Sequence, residues 1–244
     1  MKLTGYKVKD KKALGLFAAA VVILMFVIRY FLLSSGTIEE MYTLEEDELS
    51  DALTSCEVVL TACSASGDAE YVGGGTILDA RKNSASDEYY TLTIAAALSV
   101  TGTSGEAREI TVTLPDGTTA DAALIAFNEG DGYALIQCLF PEEVEVYYSR
   151  DILYRLTESE PVYVLSDGAV MEGSVTDPDA QTEGTKDNVI ETMMESAVPE
   201  ALAGAGLYGK SGNYLGMILD AGEDGRSVQS IPADIIMAAL DAAL

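Results

Sequence analysis

The chain has 244 residues, a net charge of −26 at pH 7, three cysteines and no histidine. Residues 1–34 contain six of the 14 lysines and arginines, whereas the rest holds eight bases and 39 acids, a net charge of −31. Such an acidic surface repels phosphate backbones, which argues against nucleic-acid binding. The cysteines are too few and too irregularly spaced for a disulfide framework or a zinc site. We expect buried free thiols at Cys56, Cys63 and Cys138, with the first two on opposite faces of one strand.

The N-terminal segment predicts a membrane anchor. Residues 1–12 are rich in lysine, and residues 13–33 (ALGLFAAAVVILMFVIRYFLL) are apolar except for Arg29. As a helix the apolar segment spans about 31 Å, enough for a bilayer core. We predict a single transmembrane helix over residues 13–33, with residues 1–12 cytoplasmic and the remainder outside. A cleaved signal peptide is the alternative, although its apolar region is usually shorter and no A-x-A site follows here.

The rest of the chain predicts a mainly β domain. Residues 34–52 are acidic with apolar residues near helical spacing, which predicts a stalk containing a short helix. From residue 53, short β-like runs alternate with turn signals such as Pro115-Asp116-Gly117. These runs cover residues 56–63, 74–80, 89–94, 109–114, 120–127, 133–140, 161–166 and 213–219. Many short strands at this spacing are typical of barrels or a sandwich, and residues 232–244 have a helical pattern.

Six motifs in a fixed order resemble one known family. They are GGGTIL at 73–78, LTIAAA at 92–97, ITVTLPDG at 110–117, GDGYALI at 130–136, GNYLG at 212–216 and Ile231-Pro232 before the last helix. Over residues 55–240 this order resembles the trypsin-like domain of high-temperature-requirement (Deg-type) serine proteases. The resemblance implies a two-barrel, trypsin-like (chymotrypsin) fold over residues 53–244. We expect barrels at about 53–145 and 146–230 and a C-terminal helix at 232–244. The chain ends after that helix, so no PDZ domain is expected.

The same resemblance implies where a catalytic triad would lie, and none of its members is present. LTIAAA corresponds to the family's Leu-Thr-Asn-x-His-Val and puts Ala96 at the histidine position. GDGYALI corresponds to Asp-x-Asp-Leu-Ala-Val-Leu and puts Gly132 at the aspartate position. Counting back from GNYLG puts Ala203 at the nucleophile position, whereas counting forward from Pro199 puts Leu202 there. Residues 197–210 contain no Ser, Thr or Cys, and the chain has no histidine to act as general base.

Other patterns that carry chemistry elsewhere have ordinary interpretations here. Lys210 and Ser211 are neighbours on a probable turn and need not face one another, so a Ser-Lys dyad is poorly supported. Residues 177–188 begin like a calcium loop, but Thr182 and Asn188 replace the required glycine and glutamate. The Gly73–Gly75 run precedes a strand and no Lys-Ser/Thr follows it, unlike a phosphate loop. No motif supports a carboxylate pair. We therefore expect no metal and no cofactor.

The combined expectation is a membrane-anchored pseudoprotease. Its trypsin-like domain would act outside the cytoplasm as a binding or scaffold module, holding a peptide or protein partner by strand addition. Two alternatives stay open: an active extracytoplasmic serine-type peptidase that uses non-standard residues, and a structural subunit of an envelope complex. The lysine-rich start, the acidic ectodomain and the lack of a disulfide pattern suit a Gram-positive bacterium.

Overall fold

The computed structural model describes residues 23–28, 43–64, 70–86, 88–103, 108–141, 143–144, 156–166, 168–181, 188–222 and 224–244. The chain divides into two units, Met1–Thr43 and Leu44–Leu244. In the first unit, residues 23–28 are helical. None of the helices in the described ranges has both the length and the apolar character that a membrane crossing requires. The segment 1–12 and most of the predicted span 13–33 lie outside the described residues, so the anchor stays a prediction.

The second unit consists mainly of two closed, six-stranded antiparallel barrels, as the sequence predicted. The strands of the first barrel are β1 (Glu57–Ser64), β2 (Glu70–Lys82), β3 (Tyr90–Ala97), β4 (Arg108–Thr113), β5 (Thr119–Asn128) and β6 (Tyr133–Phe140). Those of the second are β7 (Pro161–Ser166), β8 (Ala169–Ala180), β9 (Val189–Met194), β10 (Gly206–Tyr208), β11 (Tyr214–Ala221) and β12 (Ser227–Pro232). The orders β1-β2-β3-β6-β5-β4 and β7-β8-β9-β12-β11-β10 are equivalent, so the barrels share one topology.

Along the chain, one helix precedes the first barrel, one follows β3 and one follows β12. They are α1 (Glu46–Cys56), α2 (Leu98–Thr101) and α3 (Ala233–Ala243), with a 3₁₀ turn at Glu200–Leu202. Helix α1 begins with a capping box, in which the Glu45 side chain accepts a backbone N–H and the Glu48 side chain accepts the N–H of Glu45. Acidic residues in its first turn also interact favourably with the helix dipole.

Helix α1 differs from the predicted stalk in one respect. Residues 46–52, which were assigned to the stalk, are helical and belong to the same unit as the barrels. Leu49 and Leu53 are buried, one turn apart on the helix. Cys56 ends this helix instead of sharing a strand with Cys63, because the backbone becomes extended only at Glu57. None of the three cysteines, all of which lie in the described ranges, is in a disulfide; Cys56 and Cys138 are buried, and Cys63 is half-buried.

Three apolar clusters hold the barrels together. The first fills the first barrel and the third fills the second barrel. The remaining cluster joins the two barrels with α1 and α3; its buried members are Leu49, Leu53, Leu78, Ala95, Tyr133, Leu135, Ala180, Val189, Tyr208, Tyr214, Met217, Ile231, Ile236 and Leu240. Strand β3 contributes to both kinds of cluster, since Ile94 faces the first barrel's interior and Ala95 faces the second barrel. The candidate site lies where these surfaces meet.

Candidate functional site

The predicted histidine position lies at the end of β3. Ala96 is fully buried, pairs with Gly75 and Ala134, and belongs to the first barrel's core. The next residue, Ala97, lies at the start of α2, and its backbone nitrogen is 2.9 Å from the point where a Cβ on Gly204 would stand. Ala97 is therefore the residue whose backbone contacts the segment that follows Ala203. Both residues are alanine, so neither position provides a base.

The predicted aspartate position, Gly132, lies in the turn between β5 and β6. Its φ is +75°, a conformation that favours glycine. The Gly132 N–H donates to the Asn128 carbonyl, and the Gly132 carbonyl accepts from the Leu98 N–H, both at 2.9 Å. A Cβ on Gly132 would lie 3.3 Å from Cδ2 of Leu219. An apolar side chain from β11 therefore lies beside the place where a carboxylate would be expected.

The predicted nucleophile position, Ala203, follows the 3₁₀ turn and contacts the first barrel. The Ala203 carbonyl accepts a hydrogen bond from the Gly74 N–H at 3.0 Å, and the residue packs against the first barrel's core. Leu202, the alternative position, packs against the second barrel's core. Side chains at these two positions therefore point to different barrels, and neither is nucleophilic.

Gly204 is clamped between the barrels. Its φ is +96°, and a Cβ there would overlap the Gly74 carbonyl oxygen of β2. On its other side, the Gly204 N–H donates to the Ile218 carbonyl at 2.8 Å, and the Ile218 N–H donates to the Ala205 carbonyl at 2.9 Å. Only glycine fits this combination of backbone conformation and close approach.

These contacts bring the three predicted segments together. The Ala96–Ala97 end of β3 contacts Gly204, and Leu98 contacts Gly132, so motifs from three distant parts of the sequence converge between the barrels. The side chains that they contribute are hydrogen or methyl groups. The backbone groups described above are hydrogen-bonded to one another, and the triad positions provide no proton acceptor.

Glu57, the first residue of β1, was not predicted as a site residue. Its carboxylate accepts hydrogen bonds from the Thr76 hydroxyl at 2.9 Å, from the Gly206 N–H at 3.0 Å and from the Tyr208 hydroxyl. Burial raises the pKa of Glu57 to about 7, while the bonds from Tyr208, Thr76 and Gly206 oppose the rise. The available signal was a carboxylate opening the otherwise apolar run Glu57-Val58-Val59-Leu60.

The other candidate residues from the sequence make local polar contacts where the structure describes them. The Ser211 hydroxyl donates to Oδ1 of Asn213 at 2.7 Å, and Lys210 uses its carbonyl to accept the Leu44 N–H at 3.1 Å. In the possible calcium loop, Asn188 donates to the Asp179 carboxylate at 2.5 Å, and residues 182–187 lie outside the described ranges. Within the described ranges, no group of three or more acidic, cysteine or histidine side chains could hold a metal ion.

One cavity of about 490 Å³ lies away from the triad positions. It is lined by α1, the turn between β4 and β5, and the end of β6. Leu114 and Phe140 form part of its apolar lining, and Asp51, Asp116 and Glu143 contribute carboxylates. Ala96, Gly132 and Ala203 do not line it.

Comparisons with known proteins support the fold. No protein-family model matches the chain, and no curated protein matches its sequence. Among solved structures, the HtrA-type protease AlgW with tripeptide matches with a TM-score of 0.66 at 15% identity, covering 82% of this chain and 63% of AlgW. The Rv3671c protease from M. tuberculosis, in its active form, matches with a TM-score of 0.60 at 14% identity, covering 80% of this chain and 83% of that one. The chain therefore has the two-barrel fold of trypsin-like proteases and spans less than two thirds of the AlgW chain.

Proposed function

We propose that this chain is a membrane-anchored, catalytically inactive trypsin-like domain that binds an extended peptide outside the cytoplasm. The observation that carries the proposal concerns the last residues of β11, next to Ala203. They pair with β12 along one edge, whereas β10 does not extend to them along the other edge. The loss of the triad residue types supports inactivity, and the charge distribution supports the location and the kind of partner.

Inactivity follows from the residue types at the site. Covalent peptide hydrolysis in this fold needs a hydroxyl or thiol nucleophile beside a general base. Ala96, Gly132 and Ala203 offer neither group, Ala97 does not restore a base, and the chain contains no histidine. An active peptidase would have to recruit a nucleophile from outside residues 197–210, since that segment contains no Ser, Thr or Cys.

The peptide would bind along the final part of β11. Strand β10 pairs with β11 only from Tyr214 to Met217, and Gly204 and Ala205 extend the contact to Ile218. The residue before Gly204, Ala203, no longer pairs with β11 but accepts the Gly74 N–H of β2. Of the strands that the structure describes, only β12 pairs with Asp220 and Ala221, and Leu219 lies in a bulge between this pairing and that of Ile218. An extended peptide can add to the opposite side of these residues through main-chain hydrogen bonds, running past Ala203.

Charge favours a basic peptide. Asp220 is exposed within the proposed edge, and residues 35–244 carry a net charge of −31. Long-range attraction raises the association rate of basic partners and weakens as salt increases. The lysine-rich residues 1–12 and the apolar residues 13–33 support a cytoplasmic N-terminus and a domain outside the cytoplasm. The expected location is therefore the cell membrane of a bacterium, as a single-pass protein.

A peptide titration with two charge reversals tests this proposal. Fluorescently labelled basic peptides in extended conformations are titrated with the full chain in mild detergent at low salt. Asp220→Lys should weaken binding roughly tenfold, about 1.4 kcal/mol, because it puts a like charge on the edge. Asp121→Lys is the matched control, since Asp121 is an exposed aspartate on β5 in the other barrel. Equal affinities for both variants, or no binding by the wild type, would favour the structural-subunit alternative.

A further inference from the structure

Glu57 links the two barrels through a single carboxylate oxygen. Its Oε1 accepts the Thr76 hydroxyl from β2 of the same barrel and the Gly206 N–H from β10 of the other barrel, at 2.9 and 3.0 Å. The Tyr208 hydroxyl, also on β10, donates to the same oxygen. Glu57, Thr76 and Tyr208 are all buried. Both ends of the short strand β10 are thus tied to one ionisable group of the first barrel.

The surroundings of this carboxylate favour its neutral form. The groups that hydrogen-bond to it are a threonine hydroxyl, a backbone amide and a phenol, all of which are neutral. Burial in such an environment penalises the charged form, and here it outweighs the three hydrogen bonds, so the pKa of Glu57 rises from 4.5 to about 7. A buried carboxylate of this kind is charged or neutral depending on small changes of pH around neutrality.

Among the described residues, the titratable groups that interact with Glu57 or Tyr208 carry no positive charge. Tyr208 has its pKa raised well above the ordinary value, first by burial and then by the charge of Glu57. Cys56, at the end of α1, and Tyr214, on β11, also face Tyr208, and the two tyrosine rings meet edge to face at 5.9 Å. The protonation state of Glu57 therefore determines the charge within this junction.

We propose that protonation of Glu57 controls how firmly β10 is held against the first barrel, and with it the position of the Gly204–Gly206 segment. When the carboxyl is protonated, the junction contains no buried charge and the barrels pack closely. When the proton is lost, a carboxylate held by neutral donors lies between the barrels, and the packed arrangement becomes less stable relative to open ones. The proton is exchanged with solvent, and no bond other than O–H is formed or broken. This inference is independent of the proposed peptide binding.

The direction of the pH effect follows from linkage. Between pH 4.5 and about 7, the folded chain keeps a proton that the unfolded chain has released. The stabilisation from this group is therefore fully present below pH 4.5, declines as the pH rises through about 7, and is absent above that. This trend is opposite to the usual one for a carboxylate in an ion pair, which makes it easy to recognise.

The test compares the wild-type full chain with Glu57→Gln in mild detergent. The glutamine keeps an oxygen acceptor for Thr76, Gly206 and Tyr208 but does not titrate. From pH 5 to pH 8, the unfolding equilibrium constant of the wild type relative to that of Glu57→Gln should rise roughly 70-fold. Amide exchange at Gly206, corrected for intrinsic rates, should accelerate over the same range in the wild type only. Glu109→Gln, at an exposed carboxylate on β4, is the control and should keep the wild-type profile.

An identical pH dependence of stability in the wild type and Glu57→Gln would overturn the inference. So would loss of the wild-type decline in stability in Glu109→Gln. If Glu57→Gln does not fold, Tyr208→Phe provides the decision. Loss of the phenol removes a donor that lowers the pKa of Glu57, so the decline in stability should move to higher pH. An unchanged decline in Tyr208→Phe would equally overturn the inference.

Discussion

The close backbone contacts and positive φ of Gly204 predict how strongly Gly204→Ala lowers the free energy of unfolding. The added Cβ would overlap the Gly74 carbonyl oxygen and lie 2.9 Å from the Ala97 nitrogen. Both are backbone atoms that cannot rotate away, so a strand must move, which costs about 1–3 kcal/mol. The positive φ adds about 1–2 kcal/mol for alanine, partly offset by about 0.4–1 kcal/mol from the stiffer unfolded chain. The expected net destabilisation is about 3 kcal/mol.

Gly117→Ala is the matched control, because it separates backbone conformation from close approach. Gly117 has a similar φ of +86°, yet a Cβ there would meet nothing within 4 Å. Its substitution should therefore cost only about 1 kcal/mol. Urea unfolding of the full chain, followed by tyrosine fluorescence because the chain has 13 tyrosines and no tryptophan, measures both variants. A difference between them below about 0.5 kcal/mol would refute the claim that Gly204 is clamped between the barrels.

Two further predictions concern chemistry and topology. Neither the wild type nor Ala203→Ser should be labelled by a fluorophosphonate probe, because a serine at that position still has no general base. Labelling of the wild type would instead indicate an active peptidase. Protease added to intact spheroplasts should digest residues 44–244. It should leave the lysine-rich residues 1–12 protected, since they are expected to be cytoplasmic. Complete protection of residues 44–244 would contradict the predicted orientation.

The fold was largely predictable because strand patterns are local. In β3, apolar residues alternate between the barrel interior and the inter-barrel surface, so Ile94 and Ala95 fall in different clusters. The order of the short motifs then predicted the two-barrel topology, although no family model and no curated protein matches the chain. The predicted positions Ala96, Gly132 and Ala203 lie on segments that the fold does bring together. Whether these segments bind a ligand depends on backbone edges, which side-chain patterns do not encode.

Two features escaped the sequence because they depend on tertiary contacts. Acidic residues dominate the first turn of α1, so the short helix expected there was assigned to a stalk, although Leu49 and Leu53 form a buried stripe. The Glu57 junction joins residues that are 149 positions apart in the chain. The local signal is only a carboxylate at the start of an apolar run, and it is packing of the second barrel that buries this carboxylate.

The central claim is that β11 binds a peptide that the domain does not cleave, and one crosslinking measurement tests both parts. A basic peptide with a photoreactive side chain is incubated with the full chain, irradiated and analysed by mass spectrometry. We expect crosslinks to residues 219–221 and to the Ala203 segment, with the unbound peptide recovered intact. Crosslinks confined to residues 34–43 or to the cavity beside α1, or recovery of a cut peptide, would contradict it.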